Sequence, residues 1–301
     1  MLQRLWSLKQ MQSPPPVSLP CSTTVTLSSA AVSSVISKMP NPLNPHAPVQ
    51  HIEETDSTML EARRFVQTYE AEAGSSAISG TVIQAAMQTA GRGRLPGRRW
   101  ESQPGDSLMF TIIFTKEDLS RRMAGRPVAI LPLLCGLGTA AAVEEYLGID
   151  ADDCDIRVKW PNDILAGGRK LCGILCEASG DYIYAGIGIN MKQTAFSEGL
   201  RRPACSLQML GRSANTETLL ELALKHIGEA LENPEWRHNV EKRLYKIGES
   251  VVMRSGLPED SDSSLEPVYV AGRLTGLDKS GALLINTTDG TVPVISGELQ
   301  V

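Results

Sequence analysis

Three short polar segments, each beside an apolar strand-like run, constrain this chain more than any other feature of it. They are Gln88–Arg94 (QTAGRGR), Lys159–Asp163 (KWPND) and Lys170–Gly173 (KLCG). Glycines let backbone amides approach an anion closely, and one arginine guanidinium can donate two parallel hydrogen bonds to phosphate oxygens. A lysine adds a compact cation for a phosphoryl group that gains charge during a reaction. Together, the three segments predict an enzyme that activates a carboxylate with a nucleotide.

The composition is that of an ordinary soluble enzyme with room for one large core and a smaller one. The 301 residues are 42% hydrophobic and carry a net charge of −5, and chains of this size bury most of their apolar surface. A dedicated nucleic-acid binder usually has a basic surface, and no run here approaches the roughly 18 apolar residues of a transmembrane helix. We therefore expect neither a nucleic-acid nor a membrane partner.

The six cysteines include no CxxC pair, and Cys172 and Cys176 are spaced C-x3-C on a predicted strand. This spacing fits no common metal motif. We therefore predict reduced cysteines that pack in or beside the core, rather than a metal site or a disulfide.

Residues 1–48 differ in composition from the rest of the chain and are predicted to be a disordered, transit-peptide-like leader. No Asp or Glu occurs before Glu53, and nine serines precede residue 40. Basic, Ser/Thr-rich segments without acidic residues are typical of plastid and mitochondrial transit peptides. The alternative is a leader that carries no targeting signal. Translation that starts later, at Met39, would give a cytoplasmic form. Such a segment is expected to contribute nothing to the fold.

Beyond the leader, the hydrophobic periodicity alternates between strand and helix patterns, which predicts an α+β or α/β domain over residues 49–247. Predicted helices cover Thr58–Thr68, Leu131–Tyr146 and Asn215–Leu231. Predicted strands cover Thr81–Ala85, Leu108–Phe114, Ile156–Trp160, Lys170–Glu177 and Tyr182–Asn190. Over residues 248–301, short strands around positions 252, 269, 284 and 293 alternate with Gly/Asp/Ser turns. That pattern predicts a small β-barrel.

The motifs resemble those of the biotin–protein ligases, a family also called biotin–[acetyl-CoA-carboxylase] ligase or holocarboxylase synthetase. The family's GRGR loop is matched by Gly91–Arg94 and its KWPND signature by Lys159–Asp163. Its KLxGIL(x)E strand is matched by Lys170–Glu177 and its GxGxN strand end by Gly186–Asn190. The resemblance covers about residues 50–301 and is specific because four motifs keep their order and spacing. It implies an α+β, mixed-sheet catalytic domain like that of class II aminoacyl-tRNA synthetases, followed by an SH3-like barrel.

Two positions depart from the family pattern. The family's usual Ser-Thr-Asn is Ser57-Thr58-Met59 here, so the role of the third position is not carried over. The arginine loop also has an extra residue around Leu95-Pro96, so no roles are assigned to residues 95–99.

The resemblance implies a reaction in two steps that uses ATP, Mg²⁺ and biotin. The carboxylate of biotin attacks the α-phosphate of ATP and gives biotinyl-5′-AMP and pyrophosphate. A lysine on a biotin carrier domain, of acetyl-CoA carboxylase or a related carboxylase, then attacks the mixed anhydride and releases AMP. Such chemistry asks the protein mainly for positioning and charge stabilisation.

The resemblance also implies roles for the matched residues. The implied biotin-binding residues are Ser57, Thr58, Gln88, Gly91, Arg92, Lys170 and Gly173. The implied nucleotide-binding residues are Arg92, Arg94, Trp100, Asn162, Asp163 and Asn190. Asp163 is also the implied magnesium ligand, since carboxylates combined with phosphates suit Mg²⁺. Lys170 and Arg94 are the implied catalytic residues, because positioned cations stabilise charge that grows in the transition state.

Each of these residues also has a purely structural interpretation. Clusters of arginine are usually solvated, and Lys170 follows a Gly-Gly-Arg turn that suits a hairpin. Asn162, Asp163 and Asn190 are common turn residues, and Trp100 has the size of a packing residue. Only the occurrence of all the motifs together favours a site.

Two other functions stay open from the sequence. A lipoate–protein ligase shares the fold and the adenylation logic. An RNA-binding module would use the arginine loop, but it predicts aromatic residues between the arginines and a basic domain. The chain is only 5% aromatic, and residues 88–99 contain no aromatic residue. A ligase that also represses transcription would need a helix-turn-helix, for which the leader has no room, so we expect a monofunctional ligase.

Overall fold

The computed structural model of the protein describes most of the chain from residue 34 onward. The described ranges are 34–36, 39–73, 78–95, 97–149, 155–197, 202–213, 215–255 and 268–300. The predicted disorder of the leader therefore lies outside the described residues for positions 1–33 and 37–38.

An eight-stranded mixed sheet forms the larger part of the fold. Its strands are β1 Ser34–Ile36, β2 Val49–Thr55, β3 Val82–Gln88, β4 Ser107–Thr115, β5 Ile156–Lys159, β6 Asp163–Ala166, β7 Arg169–Ser179 and β8 Tyr182–Asn190. Their order is β1-β2-β3-β4-β8-β7-β6-β5. Strands β2 and β3 run parallel, and all other neighbours run antiparallel. The predicted α+β class with a mixed sheet is thus confirmed.

The KWPND segment is the tight turn between β5 and β6, in which Lys159 pairs with Asp163. The sequence analysis found β5 but missed β6, because four residues directly after a turn are too short to show a period. Strand β7 then pairs with both β6 and β8, which brings the KLCG and GxGxN segments to the middle of the sheet.

The described residues include five α-helices. They are α1 Thr58–Ala73, α2 Lys116–Arg122, α3 Leu131–Leu147, α4 Thr216–Glu232 and α5 Trp236–Arg243. Four of them pack on this sheet and one, α4, packs on α3. Asn215 caps α4, since its Oδ1 accepts a hydrogen bond from the Thr218 amide at 3.0 Å. Helices α3 and α4 approach so closely that a Cβ on Gly138 would lie 2.6 Å from the Ile227 Cα. That contact therefore requires glycine.

The segment Val128–Leu147, which contains α3, is long and apolar enough by composition to cross a membrane. The expectation that no run approaches this length was therefore wrong. Most of the segment is buried inside the protein, and α3 packs against α4 on one side and the sheet on the other. A helix covered all round needs no polar face, which explains its composition.

A second, five-stranded antiparallel sheet covers the C-terminal part of the chain. Its strands are β9 Ser250–Ser255, β10 Val268–Leu277, β11 Leu283–Thr287, β12 Gly290–Val294 and β13 Gly297–Gln300, in the order β12-β11-β10-β9-β13. This sheet is consistent with the predicted SH3-like domain. Its inner residues, such as Met253 and Leu274, belong to the same hydrophobic cluster as the inner residues of α3.

Residues 39–48 belong to the folded protein, so the predicted leader boundary at residue 48 is too late. Leu43 and Ala47 are each only 4% exposed. The Asn41 side-chain amide donates to the carbonyls of Ala47 at 3.0 Å and Gly80 at 2.9 Å. Strand β1 also pairs with β2 at the edge of the sheet. Composition averaged over the leader hides these contacts, because only a few side chains make them.

The four described cysteines carry free thiols. Cys135, Cys172 and Cys205 are buried and Cys176 is half-buried, and none of these four is in a disulfide. Burial raises the pKa of the Cys172 thiol, which keeps it protonated and unreactive.

Candidate active site

Most of the predicted site residues line a single pocket over the middle of the large sheet. They reach it from the start of α1, the end of β3, the arginine loop and the central strands β4, β7 and β8. The lining includes Ser57, Thr58, Met59, Gln88, Arg92, Gly93, Arg94, Trp100, Thr111, Asn162, Lys170, Gly173 and Gly188. Of the predicted set, Gly91, Asp163 and Asn190 lie outside this lining. Sheet topology, not sequence proximity, assembles the pocket.

Hydrogen bonds fix one end of the pocket. The Gln88 Oε1 accepts from the Thr58 amide at 2.7 Å and from the Thr58 hydroxyl at 3.1 Å. The Thr111 hydroxyl donates to the Thr58 Oγ1 at 2.9 Å. With its oxygen held, Gln88 presents its Nε2 as a donor, and this nitrogen contacts the Met109 sulfur at 3.3 Å. Thr111 was missed from the sequence, although a polar residue in the otherwise apolar run LMFTIIF was a visible signal.

Met59, which replaces the family's Asn, forms an apolar part of the pocket wall. Its side chain is 3% exposed and packs in the hydrophobic cluster between α1 and the sheet. Its Cε lies 3.1 Å from the position that a Cβ on Gly186 would take. The methionine therefore fills the space that a side chain at position 186 would otherwise occupy.

The Gly-Arg loop is a compact turn that folds back on itself. Arg92 and Arg99 form an antiparallel bridge, and the Gly93 amide donates to the Arg98 carbonyl at 2.8 Å. A Cβ on Gly91 would lie 2.6 Å from the Trp100 carbonyl oxygen, and one on Gly93 would lie 2.9 Å from the Arg98 Cβ. The two glycines therefore permit close packing of the two arms.

Arg92 extends from this loop toward β7. Its Nη2 lies 3.3 Å from the Glu177 Oε2, which also pairs with Arg63 at 2.6 Å. The Arg92 side chain is 43% exposed, so this pair is weak. An incoming phosphate can therefore displace the carboxylate.

Arg94 and Arg98 contact the second sheet instead. The Arg94 Nη2 donates to the Gly297 carbonyl at 3.2 Å, and the Arg98 Nη2 lies 3.1 Å from the Glu298 Oε2. Burial lowers the pKa of Arg94, and the nearby charge of Arg98 lowers it further. Because arginine stays charged in proteins, a half-buried guanidinium here attracts an anion.

Lys170 lines the pocket between an acid and an aromatic ring. Its Nζ is 2.8 Å from the Asp163 Oδ1 and 5.9 Å from the centroid of the Trp100 ring. The Trp100 ring lies on the strand backbone, since a Cβ on Gly188 would come within 2.7 Å of it. The Trp100 Nε1 is buried with no partner among the described residues. This free donor suits a bound ligand, because buried N–H groups are rarely left unpaired.

The two asparagines of the predicted nucleotide set are held by backbone carbonyls. The Asn162 Nδ2 donates to the Ile174 carbonyl at 2.6 Å. The Asn190 Nδ2 donates to the carbonyls of Lys170 at 3.3 Å and Cys205 at 3.0 Å. Asn190 thus secures the backbone of Lys170, and its amide hydrogens are already used within the protein.

Similarity to known proteins agrees with this geometry. Residues 55–192 match the Biotin/lipoate A/B protein ligase family, and residues 268–301 match the Biotin protein ligase C terminal domain. The Biotin--[acetyl-CoA-carboxylase] ligase of Mycobacterium tuberculosis is 31% identical over 236 residues, which span 76% of this chain and 82% of that protein. The chain belongs to the biotin protein ligase family.

Other relatives of this ligase agree with that placement. The Bifunctional ligase/repressor BirA of Bacillus subtilis is 28% identical over 241 residues, covering 76% of this chain and 68% of that protein. The biotin protein ligase of Aquifex aeolicus in complex with biotin and ATP superimposes with a TM-score of 0.65 at 28% identity. That match covers 84% of this chain and 97% of the Aquifex chain. The predicted family, fold and enzyme class are thus confirmed.

The donor set of the ligase fits magnesium only as an ion shared with a substrate. The described residues contain no cluster of three His, Cys, Asp or Glu side chains that would hold a metal. Asp163 offers one carboxylate beside Lys170. Magnesium commonly takes one or two carboxylates, water and substrate phosphates as ligands. The residues therefore fit an ion that arrives with the nucleotide.

Lys159 is a buried cation of the ligase to which the sequence analysis gave no role. It is 7% exposed, and burial lowers its pKa to about 8. The neighbouring Asp163 opposes this shift, whereas Arg202 and Lys170 add to it. Three cations, Lys159, Lys170 and Arg202, therefore lie near the two carboxylates of Asp163 and Glu298 beside the pocket, which suits a polyanionic ligand.

Proposed function

We propose that this ligase activates biotin with ATP as biotinyl-5′-AMP and transfers it to a lysine of a biotin carrier domain. The carrier would be that of acetyl-CoA carboxylase or a related carboxylase, as the names of the relatives indicate. The observation that carries the proposal is that Lys170, the neutral Gln88–Thr58–Thr111 network and the cationic Arg92 and Arg94 all line one pocket. That pocket thus offers both a neutral polar part and a cationic, anion-binding part.

The neutral part suits the ureido ring of biotin. That ring is an uncharged group with both donors and acceptors, and Gln88 has its oxygen fixed and its Nε2 free for a ring acceptor. Ser57 and Thr58 add hydroxyl groups. Gly91 and Gly173 have no side chain, so their backbone polar groups are accessible to the ring. Met59 and Ile174 supply apolar surface for the rest of the fused ring system of biotin.

The cationic part suits the α-phosphate. In the first step the biotin carboxylate forms a bond to the α-phosphorus while the bond to pyrophosphate breaks. Negative charge moves to the pyrophosphate oxygens and is spread over the equatorial oxygens. Lys170, Arg92 and Arg94 are placed to stabilise that charge, which such reactions require more than covalent help. Trp100, Asn162 and Asp163 would adjoin the nucleotide.

A magnesium ion bound at Asp163 would offset part of the phosphate charge. Asp163 pairs with Lys170 in the structure. We expect the lysine to exchange this carboxylate for the reacting carboxylate and phosphate when the substrates bind.

The decisive experiment combines the full-length protein with biotin, ATP, magnesium and an apo carrier domain. Mass spectrometry should detect one biotinyl group on one carrier lysine, and ATP–pyrophosphate exchange should depend on biotin. Lipoate is offered in competition, because the family description also covers lipoate ligases. Exchange that depends on lipoate rather than biotin would contradict the proposal.

We also propose that the leader carries an organellar address, plastid or mitochondrial. The motivating observation is its composition, which lacks acidic residues before Glu53. One relative is named Biotin--protein ligase 1, chloroplastic, from Arabidopsis thaliana, with 31% identity over 117 residues. Residues 1–38 fused to a fluorescent protein should enter an organelle. A diffuse cytosolic signal would contradict this address.

A further inference from the structure

A buried hydrogen bond joins the two sheets beside the pocket. The Trp160 Nε1 donates to the Gly281 carbonyl at 2.9 Å. Trp160 follows the last residue of β5, and Gly281 lies in the turn between β10 and β11. The indole is 6% exposed and packs in the main hydrophobic cluster. Its one polar atom therefore finds its partner in the second sheet, 121 residues further along the chain.

The turn that supplies the acceptor is rigid. The Asp278 Oδ1 accepts from the Ser280 amide and hydroxyl at 2.7 Å each and from the Ala282 amide at 3.0 Å. Gly281 has a φ of +85°, and a Cβ there would lie 2.9 Å from the Ile130 side chain. The turn is therefore held against the start of α3 in one position, and the Gly281 carbonyl is a fixed point.

The donor lies next to the residues that adjoin the nucleotide in the proposed function. Asn162 and Asp163 are two and three positions after Trp160. The Asn162 carbonyl accepts from the Ile174 amide at 2.9 Å, which fixes the far side of this turn. The Asp163 carboxylate pairs with Lys170 at 2.8 Å. Because the Asn162 carbonyl is held by Ile174, a shift of the indole would distort the turn and displace the side chains of Asn162 and Asp163.

We infer that Trp160 is a positioning residue for adenylate formation. Through its hydrogen bond to Gly281, the second sheet sets the place of Asn162, Asp163 and, through the ion pair, Lys170. The inference rests on the proposed function, in which these three residues act on the nucleotide and phosphate. A packing role alone would need only the ring, because core packing depends on shape and volume. The hydrogen bond adds a connection that a phenyl ring cannot make.

The second sheet also contacts the arginine loop. There, the Gly297 carbonyl accepts from Arg94 at 3.2 Å. The sheet thus contacts the turn that carries Asn162 and the loop that carries Arg94, and both line the pocket. This double contact explains how a sheet with no residue in the pocket lining can influence the reaction.

The test is Trp160→Phe in the full-length protein, which keeps an aromatic ring and removes the donor. We expect kcat/KM for ATP in biotin-dependent pyrophosphate exchange to fall roughly ten-fold, the size of one lost buried hydrogen bond. The Kd for biotin without ATP should stay within about two-fold, since the ureido end is fixed by Thr58 and Thr111. The matched control is Trp236→Phe. Trp236 is 5% exposed in the same cluster but lies outside the pocket lining, and its substitution should leave both constants unchanged.

Asp278→Ala provides a second variant, because it loosens the turn without touching the core. It should likewise lower kcat/KM for ATP and leave the Kd for biotin unchanged. This second variant keeps the test valid if Trp160→Phe fails to fold. Normal ATP kinetics in both variants, or an equal loss of biotin binding, overturns the positioning role and leaves the proposed function intact. A wild-type protein without biotin-dependent exchange overturns the proposed function, and the positioning role with it.

Discussion

The Nζ of Lys170 lies 2.8 Å from the Oδ1 of Asp163, although the two residues are on neighbouring strands seven positions apart. The pair is partly buried, with side-chain exposures of 33% and 18%. The Asp163 carboxylate thus partly neutralises the Lys170 cation at the pocket. Substrate phosphates carry more negative charge than one carboxylate and can replace it.

This arrangement makes Lys170 the most sensitive position of the site. Lys170→Ala should slow biotinyl-AMP formation by at least about 100-fold, because a positioned cation in a dry site stabilises developing charge strongly. The exposed Lys192→Ala is the control and should leave the rate unchanged. Direct chromatography of biotinyl-AMP gives the measurement. A near-wild-type rate for Lys170→Ala would return this lysine to its interpretation as a turn residue.

Arg94 should act mainly on the intermediate. Arg94→Gly should accelerate dissociation of biotinyl-AMP by roughly ten-fold or more while biotin affinity changes little, since a lost charged hydrogen bond costs about 1.5–3 kcal/mol. Arg98→Ala is the matched control. Arg98 belongs to the same loop and contacts Glu298, but it does not line the pocket. Equal effects of the two substitutions would mean that the loop's attachment to the second sheet, not contact with phosphate, retains the intermediate.

Burial of Lys159 should make stability depend on pH above neutrality. Its pKa is about 8 in the folded protein and has an ordinary value of 10.5. Between these values the unfolded chain binds more protons, so the free energy of unfolding rises with pH by up to ~3 kcal/mol. Below about pH 8 this contribution is absent. Lys159→Met should lack this rise. Urea unfolding at pH 7.5 and pH 10 should therefore show a larger increase in the free energy of unfolding for the wild type than for the variant. An equal change in the free energy of unfolding for both proteins would contradict the assignment of Lys159 as a buried cation.

Asn41 should contribute to stability although it lies inside the predicted leader. Its side chain donates to the Gly80 and Ala47 carbonyls and accepts from the Leu43 amide at 3.2 Å. Asn41→Ala should lower the free energy of unfolding by about 2 kcal/mol, because buried backbone groups lose their partners. The exposed His46→Ala should change it by less than about 0.5 kcal/mol. Equal melting temperatures for the two variants would support the composition-based boundary after all.

Local motifs made the fold class and most pocket residues predictable. Gly91, Gly93 and Lys170 occur in short segments whose chemistry is visible in a few letters. Thr111 and Lys159 were missed because their roles depend on which strands become neighbours, and no local pattern encodes that. The glycines of the loop were predicted to let backbone amides approach an anion, and the structure adds that they make room for Trp100 and Arg98. Three-dimensional proximity was needed for each of these assignments.

The N-terminal boundary failed for a related reason. The leader was recognised from average composition, and an average cannot register two or three buried residues. Leu43 is 4% exposed within a segment rich in proline and asparagine. Burial of so short a segment depends on the surface that receives it, here around Gly80, and that surface is encoded elsewhere in the chain.

The hydrophobic cluster shared by both sheets has a consequence for truncated forms of the protein. Met253, Leu274 and Ile285 pack in one cluster with Leu133 and Trp160. A chain truncated near residue 248 would therefore expose a wide apolar surface that the second sheet covers in the intact protein. Such a chain should be degraded or precipitate, so the truncation should abolish activity even though it removes no residue of the pocket lining.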